Sequence, residues 1–109
     1  MNQIAMTHYF IVFATDHPGL GALRDQIRPR HRSYLRDTGE HGVRVHLGGP
    51  TLARHGNAMN GTLLVVEAAS HEQVRDFVEN DPYMRAGLFA QVEIRAWNWT
   101  LGQPEKNPA

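Results

Sequence analysis

Two short stretches hold the residues best placed to do chemistry: Arg28-Pro29-Arg30-His31 and Asp81-Pro82-Tyr83. Each puts an ionisable side chain on a helical stripe that should face inward. Leu20, Leu23, Ile27, His31, Tyr34 and Leu35 recur at three- and four-residue steps, one face of a helix, and Val74, Phe77, Val78 and Asp81 do the same. An imidazole and a carboxylate aimed at the interior are costly unless they find partners. The economical expectation is that they meet each other, or a ligand, in one pocket. A paired carboxylate fixes the imidazole tautomer and steadies the imidazolium, which leaves the other ring nitrogen to take or give a proton. Histidine ordinarily titrates at ~6.5, so the exchange can run both ways near neutrality. Arg28 lies one turn before His31, where its guanidinium can hold a phenolate or a carboxylate. Structural explanations stand beside these. His31 could be a buried histidine bonded to a carbonyl freed by Pro29. Asp81 ahead of Pro82 fits an N-cap with proline at the first helical position, stabilising by ~1 kcal/mol with no chemistry involved. Arg28 fits a solvated helix surface.

The elements that must position these groups follow from pattern. His8 to Thr15 reads as a strand, apolar on both faces, closed by Asp16-His17-Pro18-Gly19. The first helix runs from about Leu20 to Thr38 and stops at Gly39, with a kink or a fresh start expected near Arg28 because of Pro29. Val43 to Leu47 is a second strand, after which Gly48-Gly49-Pro50 should turn sharply. Thr51 to Asn60 is a polar hairpin connection with turn signals at Gly56-Asn57 and Asn60-Gly61, and Thr62 to Ala68 is a central apolar strand. Ser70-His71-Glu72-Gln73 opens a second helix with a capping box that ends by Asp81. A short turn from Pro82 to Ala86 leads to a last, alternating strand from Leu88 to Trp99. Tyr83, Trp97 and Trp99 are expected as core or interface aromatics.

The order is β-α-β-β-α-β, the split pattern of an α+β, ferredoxin-like fold with a four-stranded antiparallel sheet and two helices on one face. No third helix covers the other face, so a homodimer with sheet packed toward sheet, a dimeric α+β barrel, is expected. The 109 residues make one domain, with a core from about 7 to 100 and a loose tail over 102–109. Met6 is an alternative start to Met1. Eleven basic residues balance eleven acidic ones, which gives no field to draw nucleic acid or an anionic membrane. No apolar run approaches the ~20 residues of a membrane span, and the first residues lack a signal peptide's pattern, so a cytoplasmic protein is expected. Cysteine is absent and the seven histidines lack ligand spacing, so no metal site is expected. Gly19-x-Gly21 lacks the further glycine and the crossover setting of a dinucleotide loop.

The ordered set Arg28-Pro29-x-His31 with Tyr34-Leu35, Gly48-Gly49-Pro50, Gly61-Thr62, and Asp81-Pro82-Tyr83-x-x-Ala86-Gly87-Leu88 resembles the YciI-like (YCII-related) family from Tyr9 to Trp97. The resemblance implies a ferredoxin-like protomer, a sheet-to-sheet dimer and an active-site pair at the positions of His31 and Asp81. The family is linked to dehydrochlorination of chlorinated hydroxyhydroquinones. It often has serine where this chain has Thr62, which keeps the hydroxyl and adds a methyl. Gly49 and Pro50, with the Thr62 hydroxyl, would add hydrogen bonds to a substrate. The expectation is a cofactor-free lyase (dehydrochlorinase) or isomerase acting on a small aromatic or enol-like anion, with His31 as acid/base, Asp81 its orienter and Arg28 the anion holder. Two alternatives stay open: a non-catalytic small-molecule-binding or accessory module with the same pocket, and a cofactor-free oxygenase-like protein.

Overall fold

The computed structural model describes residues 8–104; the choice of start and the tail from residue 105 lie outside the described residues. The elements are β1 (His8–Asp16), α1 (Gly21–Arg36), a 3-10 turn (Gly39–His41), β2 (Arg44–Leu52), β3 (Met59–Ala68), α2 (His71–Glu79), the one-turn α3 (Pro82–Arg85) and β4 (Phe89–Trp97). The sheet order is β2-β3-β1-β4, every pair antiparallel, which is the ferredoxin-like arrangement. None of the described helices is long and apolar enough to cross a membrane.

Alternation sorts β1 and β3 into two faces. Phe10 and Val12 lie beside Val66 and Leu64 across the β1–β3 ladder, and these four join Val74, Phe77 and Val78 of α2 in the main core. Ile27 of α1, Tyr83 and Leu88 form a second cluster. No helix among the described residues covers the opposite face: Phe13 and Leu63 face each other in register and are exposed, as is Leu47 at 55%.

Five local expectations are corrected. Helix α1 runs unbroken through Pro29 instead of restarting at Arg28. Both Pro29 and Asp25, whose carbonyl the proline cannot serve, are exposed, so water can take the missing partner's place. The helix also stops at Arg36, two residues early, and the Thr38 hydroxyl donates to the Val43 carbonyl instead.

Gly48-Gly49-Pro50 does not turn. Strand β2 continues through it to Leu52 because it is an edge strand, where proline's missing donor is tolerated. The register slips between Val45 and Leu47, leaving His46 as the extra residue of a bulge. Asn60-Gly61 is likewise not a turn but part of β3. A Cβ on Gly61 would stand 2.3 Å from the Ala14 carbonyl oxygen and 2.6 Å from Thr51 Oγ1, so glycine is there for close packing. At the start of α2, the Ser70 hydroxyl accepts from the Gln73 amide as expected, whereas Gln73 reaches back to the amide of Ala69.

Gly61→Ala is therefore expected to lower unfolding stability in urea by about 1–3 kcal/mol, since the backbone oxygen cannot step aside. Gly49→Ala, whose added Cβ meets nothing within 4 Å, should change it by less than ~0.5 kcal/mol.

Candidate active site

The inward stripes of α1 and α2 converge. His31 and Asp81 are both buried, and His31 Nδ1 lies 2.9 Å from Asp81 Oδ1. The same oxygen accepts from the Tyr83 backbone amide at 2.8 Å, with Asp81 as the N-cap of α3 and Pro82 at its first position. Cap and histidine partner are thus one atom. His31 bonds this carboxylate and not a backbone carbonyl. The carboxylate accepts, so Nδ1 carries the hydrogen whenever the imidazole is neutral, and Nε2 is then the basic nitrogen. The ring stacks on Tyr83, with centroids 3.9 Å apart and planes 20° from parallel.

His31 borders a cavity of about 310 Å³ between α1 and β2, near the small end of the ~300–1,000 Å³ usual for small-molecule sites. Among the described residues Nε2 has no hydrogen-bond partner and no buried side-chain nitrogen or oxygen lacks one, so Nε2 is the accessible nitrogen of the ring that borders the cavity. Arg28, Gly49, Pro50 and Thr62 also line it, whereas Asp81 stands behind His31. The edge strand gives the cavity a wall made largely of backbone at Gly48-Gly49.

One set of residues escaped the sequence analysis. Arg24 is only 2% exposed and ties four segments together. Its Nε donates to Asp16 Oδ2 at 2.7 Å. Its Nη2 donates to Asp16 Oδ1 at 3.1 Å, and to the Gly61 carbonyl and Thr62 Oγ1 at 2.8 Å each. Its Nη1 reaches the Tyr83 hydroxyl at 3.3 Å. The guanidinium also packs 4.5 Å from the Tyr83 ring centre. Because Thr62 Oγ1 accepts from Arg24, its own hydrogen is left to donate toward the cavity. The signal for Arg24 was present: it sits three residues before Ile27 and seven before His31, on the same stripe.

Two phenols are held protonated. Burial pushes the Tyr34 hydroxyl well above its ordinary 10.0, with the Asp81 and Asp76 carboxylates adding to the shift, and it donates to the Phe77 carbonyl at 2.7 Å. Burial also raises Tyr83, partly offset by Arg24 and Arg28.

Comparison with known proteins follows the same lines. A family model described as the YCII-related domain matches residues 8–98. A protein of Emericella nidulans described as derivative of benzaldehyde biosynthesis cluster protein C is 37% identical over 78 residues, 66% of this chain and 76% of that protein. The 5-chloro-2-hydroxyhydroquinone dehydrochlorinase of Burkholderia phenoliruptrix AC1100, solved in complex with 2,5-dihydroxybenzoquinone, is similar at a TM-score of 0.74. Identity with it is 34%, and the match covers 83% of this chain and 93% of that one. A cofactor-independent oxygenase of Streptomyces nogalater matches at 0.51 and 15% identity, over 89% of this chain and 98% of its own, a likeness of fold alone.

Arg24→Met would leave the Asp16 carboxylate buried without its counter-charge, and a stability loss of about 3–5 kcal/mol is expected in denaturant titration. The raised phenols make a second prediction. Their folded values lie above the unfolded one, so their contribution is complete below about pH 10 and declines as pH rises beyond it. Tyr34→Phe should flatten the alkaline limb of the stability curve, measured by thermal unfolding between pH 8 and 11.

Proposed function

Because the chain belongs to the YCII-related family, we propose that it is a small cytoplasmic, cofactor-free lyase of the dehydrochlorinase type acting on a hydroxylated aromatic or enol-like anion. His31 is its acid/base and Asp81 the group that orients it. The observation that carries the reading is the His31 imidazole, bonded to Asp81 through Nδ1 and opening on the cavity through Nε2. The similarity to a dehydrochlorinase supports the reaction class. Arg28 holds the phenolate and the Thr62 hydroxyl donates to a second oxygen, while Gly49 and Pro50 form the facing wall.

Such a loss of hydrogen halide needs no outside oxidant. Nε2 takes the proton of a ring hydroxyl beside the halogen-bearing carbon and returns it to that carbon, giving a ketone and a tetrahedral centre that carries both hydrogen and halogen. The hydroxyl para to the new ketone then yields its proton to His31. Its electron pair moves through the ring, and halide leaves with the carbon–halogen bonding pair. The ring becomes a quinone, one halide and one proton depart, and the two-electron oxidation of the ring balances replacement of carbon–halogen by carbon–hydrogen.

The uncovered sheet face is proposed to be filled by a second copy, so light scattering should give twice the 12.3 kDa chain mass. Chloride release from 5-chloro-2-hydroxyhydroquinone tests the chemistry. His31→Gln should lower kcat/KM by about 10²–10⁴-fold with an unchanged circular dichroism spectrum. Asp81→Asn keeps an oxygen for the Tyr83 amide but removes the charge, so kcat should fall while folding persists. A His31→Gln protein that turns over at the wild-type rate would overturn the role given to His31, whereas wild-type protein that binds the chlorinated ring and releases no chloride would leave a binding module with the same pocket as the reading that stands.

A further inference from the structure

Helix α1 carries arginine at every fourth position from residue 24 to residue 36: Arg24, Arg28, Arg32 and Arg36. Four-residue spacing keeps them on one face, each ~6 Å further along the axis than the last. All four line the cavity that His31 borders, and no carboxylate among the described residues does. Arg24 is matched by Asp16. None of the four ion pairs among the described residues involves Arg28, Arg32 or Arg36. Asp25 lies along an outer groove that these three arginines also line, not in the cavity. The chain as a whole is neutral, so this is a local concentration of cations and not a reflection of composition.

One phenolate engages one guanidinium, and Arg28, a turn before His31, is placed for it. Arg32 and Arg36 are then two forked donors beyond what the reacting hydroxyl can use. They stand on the same wall, within ~8 Å of His31 along the helix. A planar guanidinium pairs best with a planar two-oxygen anion through parallel N–H···O bonds. Taking the acid/base reading of His31 as its basis, the geometry points to a substrate that carries a carboxylate besides the hydroxyl, seated on Arg32 and Arg36. The site's substrate class is thus a hydroxylated aromatic or enolic acid, with the carboxylate about one ring's length from the reacting oxygen. Arg32 and Arg36 set specificity and take no part in proton transfer.

The test compares two probes by calorimetric titration at low salt: 2,5-dihydroxybenzoate, and hydroquinone, which lacks the carboxylate. Wild-type protein should bind the carboxylated probe at least tenfold more tightly. In the Arg32→Gln/Arg36→Gln double variant that ratio should collapse toward one, a readout that cancels any general change in folding or occupancy. Arg30→Gln removes a charge from the same helix outside the cavity, in a surface hollow beside Pro82 and Arg85, and should leave the ratio at its wild-type value. Equal binding of the two probes by wild type, or a ratio the double variant preserves, overturns the inference. If chloride release is lost in His31→Gln while wild type shows no preference for the carboxylate, the lyase reading survives and only this inference falls. If wild type binds neither probe and releases no chloride, both fall together.

Discussion

A single carboxylate oxygen, Oδ1 of Asp81, fixes the geometry on which the site depends. It takes one hydrogen bond from the start of α3 and one from the imidazole on α1, and its residue follows Asn80, the C-cap of α2. Three helices are thereby registered against one another at a point removed from water. Two hydrogen bonds to an ionised acceptor, each worth about 1.5–3 kcal/mol, oppose the cost of burying that charge. The stacked Tyr83 ring then fills the space on one side of His31, so the imidazole is held both by its edge and by its face. Rigidity is what an acid/base group requires, since proton transfer falls off steeply with misalignment.

Arg24 plays the corresponding part on the sheet side. Its guanidinium spans from the end of β1 to the start of β3 and on to Tyr83, so the sheet and the helices share one buried polar network. Removing any one member strands the others, and such networks act as a unit rather than as a sum of pairs. The network stabilises the fold and at the same time sets the direction of the Thr62 hydroxyl.

What the sequence made legible follows from where periodicity speaks. The helical stripes located His31 and Asp81 because three- and four-residue spacing leaves little doubt about which face is buried, and the strand patterns located β1 and β3. Punctuation residues misled where tertiary context overrode them. Pro29 passes through a helix because its orphaned carbonyl faces water, and Gly48-Gly49-Pro50 stays extended because β2 lies at an edge. Gly61 is a packing glycine in a strand, a role no dipeptide rule distinguishes from a turn. Arg24 was passed over for a different reason. Counting apolar positions skips a charged residue on the inward face, yet an arginine on that stripe needs a buried acid as much as His31 does. Its partner Asp16 lay hidden at the close of a strand, where it read as a loop residue.

The edge position of β2 has one further consequence. An outermost strand offers its unpaired amides and carbonyls as a template on which a foreign strand can grow. Here Pro50 withdraws one amide from that row, and the bulge at His46 breaks its even spacing. The segment that walls the cavity is therefore a poor seed for fibril-like extension. The protein can keep a bare, glycine-lined rim open to small molecules without inviting its neighbours to zip onto it.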